Sequence, residues 1–472
     1  MNTQIRTRIA PSPTGDPHIG TLYSAIFNYA FAKQNNGKFI LRIEDTDQKR
    51  LKKGSIDSII QVLKWAELTT DEDPIKGGEY SPYIQSERLD IYKEYSKILI
   101  ENEKAYYCFC TKERLENLRN EAHEKHIQPK YDKHCLTLSK NIIEKNLEES
   151  KDFVIRLNVP YNENIVFNDL IRGEITINTN TFDDQILLKT DRYPTYHMAA
   201  VIDDHLMKIT HVIRGEEWLS STPKHILLYK AFDWEIPQFA HFSLLRDKDK
   251  SKLSKRKNNT SINWFKKEGY LPQALINFLI LLGWSHPEGK EIFKINEFIK
   301  LFSWNRVTKG GPIFDIDKLN WMNGLYIRQK SNKELAYLLK DSLKKINTEK
   351  QLKIIELEKD RLKKLSDFED MIEYFIKEPY IDDKILYEKY NKDQVSQILT
   401  KTLEILDKYK ITKDAEIKLK EFAENNNLKI GDFFMVIRVA ISGRKATPPL
   451  IETMEIIGYR EIKSRINNII GR

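Results

Sequence analysis

His18 follows a loop of prolines and small residues, Pro11-Ser12-Pro13-Thr14-Gly15-Asp16-Pro17, and precedes Ile19-Gly20-Thr21. An imidazole there can donate a hydrogen bond to a phosphate oxygen as charge builds on it. Gly20 lets the backbone approach a ligand closely. A helix starting at this point would add free N–H groups and the positive end of its dipole, both of which attract phosphate. His-Ile-Gly alone is too short to separate from an ordinary helix-capping turn. A second segment, 246–257, reads RDKDKSKLSKRK and carries seven Lys or Arg against two Asp. Composition alone makes that a solvated charge run. On a loop beside the first segment, its lysines would stabilise a departing polyphosphate as its charge forms, which favours the transition state over the ground state.

Arg42-Ile43-Glu44-Asp45-Thr46-Asp47 puts carboxylates just past an apolar run. At the C-terminal edge of a parallel strand they face the same crevice as the His18 loop. Two further polar segments are Asp191-Arg192-Tyr193-Pro194-Thr195-Tyr196-His197 and Val212-Ile213-Arg214-Gly215-Glu216-Glu217-Trp218. Asp203-Asp204-His205 has the composition of a metal site, but no metal role follows from it. The three cysteines, Cys108, Cys110 and Cys135, cluster in one short stretch. Their odd number argues against a disulfide framework and for a reducing compartment.

These groups need elements to hold them. Residues 6–10 read as a strand, 11–17 as a loop, 22–33 as a helix stopped by Asn35-Asn36-Gly37, and 39–43 as a second strand. Strand, helix, strand at this spacing is a βαβ unit with a parallel sheet. From about 97 to 193 the pattern changes to an α+β insertion with strand-like runs at 152–159 and 174–177. The α/β pattern returns from about 193 to 232. After 330 the chain is almost purely helical in pattern, with a break near 326–331. A length of 472 residues suits three or four domains. The net charge of +8 suits a polyanionic partner without requiring one. The N-terminus has no apolar stretch of a secretory signal, and the longest apolar runs, 433–441 and 278–282, are far short of a membrane span. The expectation is a cytoplasmic protein with no membrane partner.

On these motifs the chain resembles the bacterial-type glutamyl-tRNA synthetases of class I, essentially end to end and most weakly over 335–430. The segment 11–21 is similar to the "HIGH" signature, with Thr21 in place of the last histidine. Lys252-Leu253-Ser254-Lys255-Arg256 is similar to the "KMSKS" loop. Arg-Ile-Glu-Asp-Thr-Asp matches the family pattern unchanged. The resemblance implies a multidomain α/β plus all-α protein. A Rossmann-type parallel-sheet catalytic domain occupies 1–96 and 194–245, with an α+β insertion for the tRNA acceptor end at 97–193. A stem-contact region at 246–330 and a helical anticodon-binding domain at 331–472 follow. It implies ATP binding by Pro11, Thr14, Gly15, His18, Gly20, Thr21 and Lys255, with His18, Lys252 and Lys255 catalytic. It implies glutamate binding by Arg8, Ala10, Ser12, Glu44, Tyr196 and Arg214. Glu44 would take the α-ammonium. Arg214 would take the side-chain carboxylate, since a planar guanidinium binds a carboxylate bidentately. The implied reaction joins glutamate to tRNA(Glu) with ATP and Mg2+ through a glutamyl-adenylate, in a monomer. Some members also charge tRNA(Gln).

The resemblance extends to the cysteines. Cys108-x-Cys110 followed by Tyr131-x3-Cys135 is similar to a structural Zn2+ site in some family members, with Tyr131 as the fourth ligand and His134 as its rival. Where some relatives carry a ligand two residues past the last cysteine, this chain has Thr137. Three other readings compete. A paralogue that glutamylates a modified tRNA base lacks the helical C-terminal domain that this pattern contains. A glutaminyl enzyme carries a β-rich anticodon module. A non-catalytic RNA-binding paralogue need not retain His18, Glu44, Arg214 and Lys255 together. Arg460, Lys463 and Arg465 form a basic cluster expected to meet RNA phosphates.

Overall fold

The computed structural model describes residues 4–253 and 259–471. Two compact units emerge: Met1–Lys266 with Pro272–Ile316, and Lys267–Leu271 with Asp317–Arg472.

In the first unit, β1 (Arg6–Ile9), α1 (Ile19–Gln34) and β2 (Lys38–Leu41) form the expected βαβ unit. The strands are parallel, with Arg8 opposite Ile40. The helix begins at Ile19 rather than 22 because His18 caps it, its Nδ1 accepting from Gly20 N at 3.0 Å. Leu22, Tyr23, Ile26, Phe27 and Ala30 recur at helical spacing and are buried. Each large apolar side chain among them contributes on the order of 1.5–3 kcal/mol on leaving water. The stop is where the sequence places it. Asn36 takes φ 52°, and Gly37 packs where a Cβ would lie 2.2 Å from Ile5 O.

Beyond α2 (Ser55–Trp65) and α3 (Leu89–Glu101) comes β3 (Ala105–Cys108). Two polar helices, α4 (Lys112–Glu124) and α5 (Lys140–Glu148), lead to β4 (Val154–Leu157). The hairpin β5 (Asn164–Asp169) and β6 (Gly173–Asn178) precedes β7 (Ile186–Leu188). Strands β3, β4 and β7 form an antiparallel sheet of their own. The hairpin instead joins the sheet that continues the α/β pattern. After α6 (Tyr196–Leu206), β8 (His211–Gly215) and α7 (Thr222–Ala231), strand β9 (Gln238–Phe242) completes the order β6-β5-β9-β8. β8 and β9 are parallel, with Arg214 opposite His241, and β5 meets β9 in parallel at Asp169↔Phe239. β1 lies beside this sheet, since Thr210 N donates to Arg6 O at 3.0 Å. The apolar helices α8 (Ile262–Lys267), α9 (Pro272–Gly283) and α10 (Ile295–Leu301) follow.

Every regular element described in the second unit is helical, from α11 (Ile316–Gln329) to the helix Tyr459–Ile470. The break expected near 326–331 coincides with the end of α11 and the start of the next helix, Asn332–Leu338, which Ser331 caps. α11 runs unbroken to Gln329 and buries Leu319, Met322 and Ile327. Asn323 ties it to this unit, accepting from Leu271 N at 2.8 Å and donating to Lys363 O at 2.7 Å. Val436, Ile437, Ala440, Ile462, Ile466 and Ile469 form part of one apolar core. Arg465 departs from its expected role. It is 4% exposed, and its guanidinium donates to Ile441 O at 2.5 Å near the end of the helix Ile430–Ser442. It satisfies an orphan carbonyl there, as a cation at a helix C-terminus does. Arg460 and Lys463 remain exposed. No helix among the described residues is long and apolar enough to cross a membrane.

Candidate active site

A cavity of about 1180 Å³ opens at the carboxyl ends of β1, β2, β8 and β9, where parallel sheets bind ligands. Of the residues singled out in the sequence, Arg8, Ala10, Pro11, Ser12, His18, Gly20, Thr21, Glu44, Tyr196, Arg214 and Lys252 all line it. Thr14 and Gly15 do not. They shape the loop, Thr14 N donating to Ser12 O at 2.9 Å and Gly15 taking φ 135°. Lys255 lies outside the described residues.

His18 is placed by its capping bond. Nδ1 accepts from Gly20 N, so the ring proton sits on Nε2, the edge that can donate to a phosphate oxygen. A Cβ at position 20 would lie 3.1 Å from that Nδ1, so glycine keeps the ring in place. Backbone bonds tie this loop to the segment that follows the lysine run. Ile19 N donates to Thr260 O at 2.8 Å and Ile262 N to Pro17 O at 3.0 Å. The segment after the lysine run is thereby held against the start of α1.

Behind the loop lies a buried charge network. Arg8 grips Asp204 with Nε at 3.0 Å and Nη2 at 3.1 Å, and Arg42 reaches the same carboxylate at 2.7 Å and Glu44 Oε1 at 2.9 Å. Asp203 accepts from Arg88, Tyr92 and Gln85, each at 2.8 Å. Arginines Arg8, Arg42 and Arg88 thus face the carboxylates of Asp203, Asp204 and Glu44; both Asp204 oxygens accept from arginines, and those of Asp203 from Arg88, Gln85 and Tyr92. Burial opposes the Asp204 charge, but Arg8 and Arg42 outweigh it and hold its carboxyl below the usual value. Burial wins at Glu44, raising its carboxyl above the usual range despite Arg42. Glu44 is therefore an under-compensated carboxylate at the cavity wall, suited to an incoming ammonium.

Arg214 stands opposite in charge. It is 6% exposed, and among the described residues its guanidinium hydrogen-bonds only neutral groups. Nε donates to His241 Nε2 at 3.0 Å, Nη2 to Thr222 Oγ1 at 3.0 Å, and Nη1 to Tyr196 OH at 3.3 Å. His225 Nδ1 lies 3.4 Å from Nη1. Among the described residues no carboxylate pairs with it. Burial pushes the His225 and His241 imidazoles below the usual value, and it lowers His197 to about 4. A cation this buried and without a counter-ion calls for an anionic ligand. Trp218 closes the wall, its ring 4.2 Å from that of Tyr196. Glu216 serves structure instead, pairing with Arg172 at 2.6 Å.

Sequence reasoning missed Asp169, Thr222, His225 and His241. One signal was available: a histidine inside the buried run Phe239-Ala240-His241-Phe242 is out of place in a core strand unless it has partners.

The cysteines converge as expected. Their three sulfurs lie within 4.8 Å of one another, a geometry that could hold a metal ion. Tyr131 OH is 3.4 Å from both Cys108 Sγ and Cys110 Sγ and accepts from Cys135 N at 3.0 Å. Hydrogen bonding from Cys135, then from Tyr131, draws the Cys108 thiol down and correspondingly pushes the Cys135 thiol up. His134 is exposed and stays outside the sulfur cluster.

Known proteins match this arrangement along its length. Residues 4–321 match the class I tRNA synthetase catalytic domain for E and Q, and residues 334–470 match an anticodon binding domain. A glutamate–tRNA ligase of Fusobacterium nucleatum is 42% identical, over 99% of this chain and 98% of that one. One of Pseudoalteromonas translucida is 45% identical, over 98% and 94%. The crystal structure of a glutamate tRNA ligase from Elizabethkingia meningosepticum, in complex with its amino acid, superposes with a TM-score of 0.89 at 38% identity over 99% of both chains. With a parallel-sheet cleft, the His18 loop and a helical C-terminal unit in place, and with these matches along its length, the chain belongs to the glutamate–tRNA ligase family of class I aminoacyl-tRNA synthetases.

Proposed function

We infer that the protein ligates L-glutamate to the 3′-terminal adenosine of tRNA(Glu), using ATP. An oxygen of glutamate's α-carboxylate attacks the α-phosphorus, and the bond to the bridging oxygen breaks as pyrophosphate leaves. A ribose hydroxyl of the terminal adenosine then attacks the adenylate's carbonyl carbon, its proton is lost, and AMP departs. No covalent enzyme intermediate is required, so the residues act by position and charge.

The observation that carries this reading is Arg214, a buried guanidinium ringed by neutral acceptors in the same cavity as the carboxylate of Glu44. Glutamate supplies the missing complements, an anionic side chain and an α-ammonium. Tyr196 and Ser12 would add hydroxyls, and the Ala10 and Pro11 backbone would border the amino acid. Arg8, committed to Asp204 on one edge, would contribute its field more than a full fork. His18 Nε2–H and the α1 N-terminus would hold the phosphates with Thr14, Gly15, Gly20 and Thr21 shaping the loop. Lys252 and Lys255 would follow the leaving pyrophosphate. Mg2+ would arrive with the nucleotide and neutralise part of its charge. Cys108, Cys110 and Cys135 with Tyr131 would hold a structural Zn2+ in the 97–193 insertion, which would orient the acceptor end. The division into 1–96 with 194–245, 97–193, 246–330 and 331–472 belongs to this proposal, as do a monomeric state and a cytoplasmic location.

The test is glutamate charging with ATP and Mg2+ on separate tRNA(Glu) and tRNA(Gln) transcripts. Charging of tRNA(Glu) is expected, and the ratio of the two rates measures discrimination. No charging of either, where a control ligase succeeds, overturns the reading.

A further inference from the structure

Three polar residues stand side by side on neighbouring strands. Asp169 ends β5, His241 lies in β9, and Arg214 lies directly opposite His241 in β8. Arg214 Nε can only donate, and it meets His241 Nε2 at 3.0 Å. That nitrogen must therefore be bare. The ring's proton sits on Nδ1, which faces Asp169 Oδ2 at 2.7 Å. The other Asp169 oxygen accepts from Ile171 N at 3.0 Å and Arg172 N at 2.9 Å, so the carboxylate cannot turn away. A doubly protonated His241 would set two donors against each other, and its burial beside Arg214 opposes that state as well.

This arrangement does something a direct Arg–Asp pair would not. A carboxylate against the guanidinium would orient it but also satisfy its charge. An imidazole between the two passes on the orientation and leaves the charge uncompensated at contact distance. We propose that Asp169 and His241 are positioning residues for side-chain specificity: the locked Nδ1–H tautomer of His241 holds the Arg214 fork on a neutral acceptor, which reserves it for an anionic side chain over the amide isostere. A carboxylate accepts from two N–H groups of the fork. An amide presents one acceptor and one donor, and its donor faces another donor. The inference rests on Arg214 being the group that meets the substrate's side chain, and the experiment separates the two.

The full-length protein is assayed by aminoacylation of tRNA(Glu), varying glutamate and ATP separately. Asp169→Asn and His241→Leu are expected to raise KM for glutamate by about 10- to 100-fold, the range for losing a charge-assisted hydrogen bond, with KM for ATP unchanged. His241→Gln is expected to stay within about threefold, because a side-chain amide can donate to Asp169 and accept from Arg214. Nitrogen-15 NMR of labelled histidines in the wild-type protein, with the His241 signal identified by its loss in His241→Gln, is expected to show a neutral Nδ1–H ring. This measurement does not depend on variants folding. An Nε2–H or doubly protonated ring at neutral pH overturns the proposal. So does His241→Gln as defective as His241→Leu, or an ATP KM that rises in parallel. If Arg214→Gln leaves KM for glutamate unchanged while the tautomer is as expected, the side-chain assignment fails and takes the specificity role with it. A raised KM in Arg214→Gln with no rescue by His241→Gln overturns the positioning role alone.

Discussion

Replacing Asp204 by asparagine changes one charge and almost no volume, so it isolates the electrostatics of the site. The carboxylate takes Arg8 at 3.0 and 3.1 Å and Arg42 at 2.7 Å while 3% exposed. Its loss leaves Arg8, Arg42 and Arg88 facing only Asp203 and Glu44, one uncompensated positive charge in a dry region. Removing one partner of a buried pair costs about 3–5 kcal/mol, and the remaining amide oxygen keeps one acceptor, which favours about 3 kcal/mol. At roughly 1.5–2 °C per kcal/mol for a unit of this size, the unfolding transition of the first unit should fall by about 4–6 °C. The released guanidiniums then compete for Glu44, so KM for glutamate should rise together with the loss of stability. Because Asp204's folded-state pKa lies below its ordinary 3.8, its contribution is fully present above that value and is lost only as pH falls through the folded pKa. Calorimetry between about pH 6 and 8 should therefore show a constant gap between wild type and variant. A drop under about 2 °C, or a gap that shrinks on moving from pH 8 to 6, refutes the account of Asp204 as a charged anchor.

Burial holds the Glu44 carboxyl above the ordinary 4.5. If its ionised form binds the substrate ammonium, KM for glutamate should climb as pH falls through that raised value, and Glu44→Gln should start high and lose the pH dependence. Gly20→Ala places a Cβ 3.1 Å from His18 Nδ1. The displaced ring should lower kcat by about 10- to 100-fold with little change in melting temperature, read by steady-state charging and calorimetry on the same sample. Cys135→Ser should abolish stoichiometric zinc in elemental analysis of the purified protein, while equal zinc content in wild type and variant would remove the cysteine cluster as its site. Arg465→Ala strips a buried donor from Ile441 O and should destabilise the second unit by about 2–3 kcal/mol in denaturant unfolding. Arg460→Ala, an exposed position, should leave stability within about 0.5 kcal/mol and instead raise KM for tRNA.

Some of this protein is local enough to be legible along the chain. The βαβ start needs only apolar periodicity and the Asn36-Gly37 stop, and the helical second unit needs only repeated 3.6-residue spacing. Arg8, Tyr196 and Arg214 were reached through their match to family motifs, and His18 and Glu44 also through their place at a helix start and a strand end, which on a parallel sheet point to one crevice whatever the loops between them do. Partnership was not legible, because it is set by strand order and register. Asp169 lies in a stretch that reads as part of the insertion, yet β5 docks on β9, and that pairing brings Asp169 to His241 and hence to Arg214. Arg465 looked like its exposed neighbours in composition, but helix packing turned it onto Ile441 O. Sequence alone determined which chemical groups are present and which elements carry them. Tertiary structure decided which charges are already paired inside the protein and which remain for a substrate, because that depends on contacts across β-strands and helices far apart in the chain.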